Sequence, residues 1–318
     1  MRIVVLDGYT LNPGDNPWDE VAALGEFAVY DRTPPDLILE RAQGAAVVLT
    51  NKTPLTGATL AALPELRLIC VLATGYNVVD VAEARRRQIP VSNVPVYGTD
   101  SVAQFVFALL LEHCHHVARH DAAVRRGDWS RTPDFCFWET PLVELAGRRM
   151  GIVGFGRIGR RVGELAHAFG MEVLAHEVAP GEPPRYRPFA WRALDEVFAE
   201  ADVVSLHCPQ TADNVGFVNR ALLGRMQRHA FLINTARGSL VNEADLAWAL
   251  GEGRIAGAAV DVVSHEPIAA DNPLLSAPNL IITPHMAWGA LAARQRLMRT
   301  VAHNVRSFLE GRPTNVVN

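Results

Sequence analysis

An arginine, a carboxylate and a histidine stand at the ends of three apolar runs in the last third of the chain. They are Arg237 in NTARGSLVNE (234–243), Glu266 in VDVVSHEP (260–267) and His285 in ITPHMAW (282–288). Arginine can grip a carboxylate through two parallel hydrogen bonds. An imidazole can move a proton near neutral pH, and a neighbouring carboxylate can orient it. Such a set suits a 2-oxo acid, which offers one carboxylate to hold and one carbonyl to protonate. Taken singly, Arg237 reads as a solvated turn arginine, Glu266 as a surface carboxylate before a proline, and His285 as a core histidine satisfied by backbone. Their shared position at strand ends, where open α/β sheets place ligands, is what gives them chemistry.

Upstream, Gly154-Phe155-Gly156-Arg157-Ile158-Gly159 forms a G-x-G-x-x-G turn. An apolar run (MGIV) enters it and an amphipathic stretch (RIGRRVGELAHAFG) leaves it. The three glycines serve a tight turn, close approach of backbone to a pyrophosphate, and packing of helix on strand. The amides of Arg157 and Ile158 would face the phosphates at a helix N-terminus. The next strand ends at Glu177, 18 positions beyond Gly159. A carboxylate there accepts hydrogen bonds from the adenosine ribose hydroxyls and repels a 2′-phosphate, which favours NAD over NADP. Arg185 and Arg187, in the Pro-rich loop that follows, keep NADP open if they fold back.

These residues need a scaffold of alternating strands and helices. Runs at 3–6, 46–50, 67–72 and 89–94 read as strands, with helices near 36–43, 56–62 and 78–87. A second series of strands is predicted at 150–155, 172–177, 202–207, 230–235, 255–262 and 280–283. Between the series, Ser101 to about Arg119 reads as one long buried helix, and 288–310 as a closing helix. The fold class is therefore α/β: a Rossmann-type dinucleotide domain, a doubly wound parallel sheet, joined to a flavodoxin-like domain. Residues 98–286 would form the first, and 1–97 with 287–318 the second, which would carry substrate.

Composition excludes several functions. The 318 residues carry 30 Lys+Arg against 34 Asp+Glu, which argues against a nucleic-acid surface or a polybasic membrane anchor. Lys52 is the single lysine, and it follows Asn51, so no Gly-Lys-Ser/Thr phosphate loop exists. Schiff-base chemistry would rest on Lys52 alone. Cys70, Cys114, Cys136 and Cys208 are too scattered for a disulfide scaffold or zinc module, and fit a reducing, cytoplasmic location. No run reaches membrane-spanning length. His113, His116 and His120 share a face of the expected long helix, but no acidic ligand completes a metal set there, so no metal is expected.

The order of motifs resembles the D-isomer-specific 2-hydroxyacid dehydrogenases along essentially the whole chain. ATGYNVVD (73–80), NVPVYGTDSVAQ (93–104), VELAGRRMGIVGFGRIG (143–159), LHCPQT (206–211), INTARGSLV (233–241) and TPH (283–285) carry the resemblance, as does the 29-residue step from Arg237 to Glu266. The SVAQF helix, FCFWETPL (135–142) and HMAW are most similar to glycerate dehydrogenases, also called hydroxypyruvate reductases. The resemblance implies that Arg237 binds the substrate carboxylate and carbonyl, that His285 is the acid in reduction and the base in oxidation, and that Glu266 pairs with His285. The backbone of Thr74, Gly75 and Tyr76 would hold the carboxylate. Thr74, Val102, Cys208, Thr235, Ala236, Arg237, Asp261 and His285 would line the cofactor beside the glycine turn, with Asp261 near the nicotinamide amide. Two readings stand for Trp138: packing at a homodimer interface, or reach into the neighbouring subunit's substrate site. Glu177 departs from the more frequent Asp, and His265 adds a second ring beside Glu266. The alternatives are a reductase of glyoxylate or another 2-oxo acid, possibly with NADPH, and a dinucleotide-sensing corepressor, which the complete Arg–Glu–His set disfavours.

Overall fold

In the computed structural model, which describes residues 1–318, every strand pairing within the two sheets is parallel. The chain divides into two compact units, one of Met1–Gly98 with Trp288–Asn318 and one of Thr99–Ala287. No helix is long and apolar enough to cross a membrane.

The first unit holds strands β1 (Arg2–Val5), β2 (Glu26–Val29), β3 (Val47–Thr50), β4 (Leu68–Val71) and β5 (Val91–Ser92), in the order β2-β1-β3-β4-β5. Successive side chains of a strand point to opposite faces. Accordingly Ile3, Val5, Leu49, Leu68 and Cys70 enter one apolar cluster, and Val4, Val48, Ile69 and Val71 enter another. With both faces covered, these strands read as unbroken apolar runs. Helices α1 (Asp19–Ala22), α2 (Ile38–Ala42), α3 (Gly57–Ala61) and α4 (Val81–Arg86) connect them. Thr56 and Asp80 start α3 and α4 by accepting from the amides of Thr59 and Glu83 at 3.2 and 2.9 Å.

The second unit opens with α5 (Thr99–His115), α6 (Val117–Arg125) and α7 (Asp128–Arg131). Strand β6 (Arg149–Val153), helix α8 (Arg157–Ala168) and strands β7 (Glu172–His176) and β8 (Phe189–Trp191) follow. Then come α9 (Leu194–Glu200), β9 (Val203–Leu206), α10 (Arg220–Leu223), β10 (Phe231–Asn234), α11 (Glu243–Gly251), β11 (Gly257–Val260) and β12 (Leu280–Ile282). The chain returns to the first unit through α12 (Leu291–Leu309), whose Leu297, Val301 and Val305 cover one face of the five-stranded sheet. The seven strands lie in the order β12-β11-β10-β9-β6-β7-β8, so the winding reverses between β6 and β9. Ligands of doubly wound sheets bind at such a reversal, beyond the strands' C-terminal ends.

The long helix expected from Ser101 to Arg119 is two helices. His116 takes a left-handed conformation, φ +45°, and separates α5 from α6. The carbonyls freed at the end of α5 need partners. His120 supplies one ring nitrogen: its Nδ1 lies 3.1 and 3.0 Å from the His115 and His116 carbonyl oxygens, while its Nε2 accepts from the Glu139 amide at 3.1 Å. The three histidines therefore do not share one helical face. His113 instead stacks on Phe231, ring centroids 3.9 Å apart. Edge strands β2 and β8 escape the Val- and Ile-rich pattern of the buried strands, and their side chains stay partly exposed.

Burial, with a smaller push from His116, lowers the His113 ring to about 4, and burial lowers His207 to about 3. Both stay neutral in the folded protein, while the unfolded chain takes up protons near 6.5. Their stability contribution is full above about pH 6.5 and is lost as the pH falls toward 4. Thermal melts of His113→Phe should lose less between pH 7 and 4.5 than wild type does; an identical loss would show that His113 is not one of the groups responsible.

Candidate active site

At the reversal point, strand β6 runs into the glycine turn. Gly154 has φ +91°, and a Cβ there would lie 2.4 Å from the Cys208 amide nitrogen, so the turn presses on the residue after β9. A Cβ on Gly159 would lie 2.1 Å from the Gly154 carbonyl oxygen, which lets α8 begin tight against the strand end. Gly156 faces open space, and no side chain caps the N-terminus of α8. The uncovered amides of Arg157 and Ile158, at the positive end of a 12-residue helix, suit a pyrophosphate. Nearby on β10's exit, the Thr235 hydroxyl is buried without a partner.

Glu177 follows β7, and its carboxylate accepts from the Phe155 amide at 2.8 Å and from the Val178 amide at 3.1 Å. Each oxygen keeps a further lone pair for a ribose hydroxyl. The Cys208 thiol is pushed up, mainly by burial and further by the charge of Glu177, so it is a packing group rather than a nucleophile. An open glycine turn, an uncapped helix, an unpartnered hydroxyl and an acceptor carboxylate together fit a dinucleotide.

On the other side of the reversal, β10, β11 and β12 deliver the reactive side chains from adjacent strand ends. Asn234 is fully buried and locks the turn after β10: it accepts from the Ala236 amide at 3.0 Å and donates to the Arg237 carbonyl at 2.8 Å. Arg237 itself is exposed, with Nη1 donating to the Ala236 carbonyl at 2.7 Å. A Cβ on Gly238 would lie 1.9 Å from the Val263 carbonyl carbon. The Arg237 turn thus abuts the segment that carries Glu266. His285 Nδ1 donates to Glu266 Oε2 at 2.7 Å, both side chains being about one-third exposed (28% and 34%).

His285 has φ +52°, a left-handed conformation uncommon in residues other than glycine, though Asn, Asp and His adopt it more often than the rest. Asp261, 1% exposed at the end of β11, holds it there. One carboxylate oxygen accepts from the Thr283 hydroxyl (2.6 Å) and the Met286 amide (2.9 Å), and the other from the Ala287 amide (2.9 Å). The Asp261 carbonyl accepts from the His285 amide at 2.7 Å. Sequence reasoning placed Asp261 beside the cofactor and missed this office, along with Asn234, Gly238 and Thr283. All four lie within or beside the quoted motifs, but only the backbone path shows what their side chains or lack of them accomplish.

The remaining candidates fall elsewhere. Thr235 and Ala236 are half-buried in the turn after β10, and Val102 is buried in α5. Trp138 is 62% exposed on the connection from α7 to β6. Thr74, Gly75 and Tyr76 follow β4 in the first unit, where the Thr74 hydroxyl donates to the Val94 carbonyl and the Thr74 carbonyl accepts from the Asn93 side-chain amide, each at 2.8 Å.

The doubly wound sheet, its glycine turn and the Arg–Glu–His edge define a nicotinamide-dinucleotide-dependent oxidoreductase that acts on the CH–OH group of 2-hydroxy acids. Residues 107–287 match the family described as "D-isomer specific 2-hydroxyacid dehydrogenase, NAD binding domain", and the chain belongs to this family. It is 48% identical over 321 residues to a hydroxypyruvate reductase of Blautia hydrogenotrophica, covering the whole of both chains. It is 40% identical over 295 residues to a glycerate dehydrogenase of Methylorubrum extorquens, covering 92% of each. Among solved structures, the NADPH-dependent glyoxylate/hydroxypyruvate reductase of Sinorhizobium meliloti in complex with NADP and malonate superimposes with a TM-score of 0.84 at 29% identity, covering 99% of this chain and 96% of that one.

Asp261→Asn replaces an acceptor by a group that donates toward the Met286 or Ala287 amide. If the carboxylate acts by placing His285, kcat should fall by about 100-fold, the cost of displacing a reacting group by about 1 Å, while NADH binding by fluorescence titration stays within a few-fold. Weakened NADH binding with near-normal kcat would assign Asp261 to the cofactor instead.

Proposed function

We propose that the chain reduces hydroxypyruvate to D-glycerate, using NADH. The 2.7 Å pair of His285 and Glu266 beside the Arg237 turn carries this reading, because that set can both hold a 2-oxo acid and protonate its carbonyl. The two relatives with the greatest identity reported above, a hydroxypyruvate reductase and a glycerate dehydrogenase, support the substrate.

Arg237 pairs with the substrate carboxylate and polarises the C2 carbonyl. Bound NADH supplies the hydride that C2 receives. His285 gives its proton from Nε2 to the C2 oxygen as the carbonyl becomes an alcohol, since Nδ1 is engaged by Glu266. Glu266 balances the imidazolium before transfer and fixes the ring plane. In the reverse direction His285 takes the hydroxyl proton.

Glu177 supports NADH over NADPH, because a 2′-phosphate would meet its carboxylate where the Phe155 and Val178 amides hold it. Arg187 is turned away onto its own loop, donating to the Pro184 and Tyr186 carbonyls at 2.7 Å. The exposed apolar side chains Val117, Phe135 (90% exposed), Trp138 and Leu142 support a homodimer formed through this region. Sedimentation equilibrium should then return twice the chain mass of 34.7 kDa, and a single-chain mass would refute the dimer.

The test of the activity follows NADH, then NADPH, at neutral pH against hydroxypyruvate, glyoxylate, pyruvate and phosphohydroxypyruvate. Hydroxypyruvate with NADH should be the best pair, and His285→Ala should lower its kcat by about 10²- to 10⁴-fold, the usual worth of a positioned acid. A clear preference for glyoxylate would replace the substrate, and a preference for NADPH would overturn the role given to Glu177. Tight NADH binding without turnover of any of the acids would overturn the enzyme reading.

A further inference from the structure

The stretch that carries Glu266 has little apolar surface of its own to hold it. Between Val262, just past β11, and Leu274 no side chain is buried, and residues 264–267 are all exposed. Its one helical turn is the 3₁₀ turn Pro273–Ser276. Yet Glu266 must stay 2.7 Å from the His285 ring, in a pair about one-third open to water. Exposed segments without apolar anchors move unless polar groups fasten them.

Glu243 supplies that fastening. It is the first residue of α11, and its side chain is half-buried. One carboxylate oxygen accepts from the Ser264 backbone amide at 2.6 Å, and the other from the Asn272 side-chain amide at 2.8 Å. Asn272 is itself fixed, because its side-chain oxygen accepts from the Leu274 amide at 2.9 Å. Both ends of the 264–272 stretch thus meet one carboxylate. The helix beneath is rooted in the core through buried Leu246, Ala249 and Leu250.

An acidic residue in the first turn of a helix commonly does no more than complement the helix dipole. Here that need is met without Glu243. Asn242 caps α11 by accepting from the Asp245 amide at 3.1 Å, and Asp245 is a second first-turn carboxylate, accepting from the Arg220 amide at 3.0 Å. Glu243 turns both its oxygens to the Glu266 stretch instead. The connection leading into α11 also carries Arg237 and Gly238, and Val263 packs against that glycine. Residues 237–243 therefore set the guanidinium and, through Val263 and Ser264, the start of the Glu266 stretch.

We propose that Glu243 is a positioning residue for proton delivery. By holding the Ser264 amide and the Asn272 side chain it keeps Glu266 at His285, and so keeps the ring aimed at the C2 oxygen. The assignment rests on the reading of the site as a 2-oxo acid reductase. A neutral side chain of the same shape satisfies one donor and not both. The amide introduced by Glu243→Gln would offer its oxygen to one donor and turn its N–H groups on the other. Asn272 cannot flip to accept them, because its nitrogen would then face the Leu274 amide.

Glu243→Gln and Asn272→Asp, singly and together, test this with NADH and hydroxypyruvate. Each single variant sets like groups face to face, donor against donor or carboxylate against carboxylate. In each, kcat should fall about 10- to 100-fold, as for a reacting group displaced by about 1 Å. KM and NADH binding should change by no more than about threefold. Together the two substitutions exchange donor and acceptor and restore every bond, so kcat should return to within about threefold of wild type. In a Glu266→Ala background, Glu243→Gln should lower kcat by less than about twofold more, since it acts through Glu266. Amide exchange of the 262–273 stretch, read by mass spectrometry, should be faster in each single variant and slow again in the pair. Faster exchange with unchanged kcat would make Glu243 a structural fastening alone and overturn the proposal. So would a full further loss in the Glu266→Ala background, or a double variant that does not recover. Normal kcat in the single variants of an active enzyme overturns this assignment alone; a wild type that turns over no 2-oxo acid overturns the underlying reading and this assignment with it.

Discussion

Buried at the end of β11, Asp261 receives four hydrogen bonds from the loop that follows β12, three on its carboxylate and one on its carbonyl. A carboxylate accepts such bonds more strongly than a neutral group, and here it does so almost wholly out of solvent. The loop pays for that satisfaction in backbone strain. His285 is held at φ +52°, a conformation that costs a residue of its kind on the order of 1 kcal/mol or more. The strained turn aims the imidazole at Glu266, and the rest of the reactive edge is arranged around that pair.

Close backbone approach does the remaining positioning. Gly238 lets the turn of Arg237 lie against Val263, and Gly154 lets the dinucleotide turn lie against Cys208. In both places a single Cβ would force two strand ends apart. The consequence is that one sheet edge presents a helix N-terminus on one side of its winding reversal and a guanidinium, carboxylate and imidazole on the other. Hydride and proton delivery to one carbon–oxygen bond requires this kind of juxtaposition. Side chains on flexible loops would lose it to thermal motion.

Much of this was legible before any coordinates. Buried parallel strands announce themselves as Val- and Ile-rich runs, and a turn that admits only glycine leaves G-x-G-x-x-G in the sequence. Arg237, Glu266 and His285 could be picked out because their residue types are chemically distinctive and each follows a strand. The break at His116 was hidden, since the His120 ring that meets the freed His115 and His116 carbonyls is visible only once the backbone path is known. Edge strands β2 (EFAV) and β8 (FAW) were hidden because neither carries the run of Val and Ile that marks the buried strands. Asp261 shows the deeper difficulty: its type suggests ligand contact, and only the paths of the Thr283, Met286 and Ala287 groups reveal that its carboxylate is already spoken for three times.

The central claim is that this edge directs a hydride to C2 of a 2-oxo acid while His285 protonates the oxygen. Deuterium transfer tests it most directly. NADH labelled with deuterium at the transferred C4 position would be reacted with hydroxypyruvate, and the glycerate separated by configuration and weighed by mass spectrometry. The account predicts D-glycerate carrying one deuterium at C2, formed by the wild type and nearly absent with His285→Ala. L-glycerate, or glycerate without deuterium at C2, would contradict it.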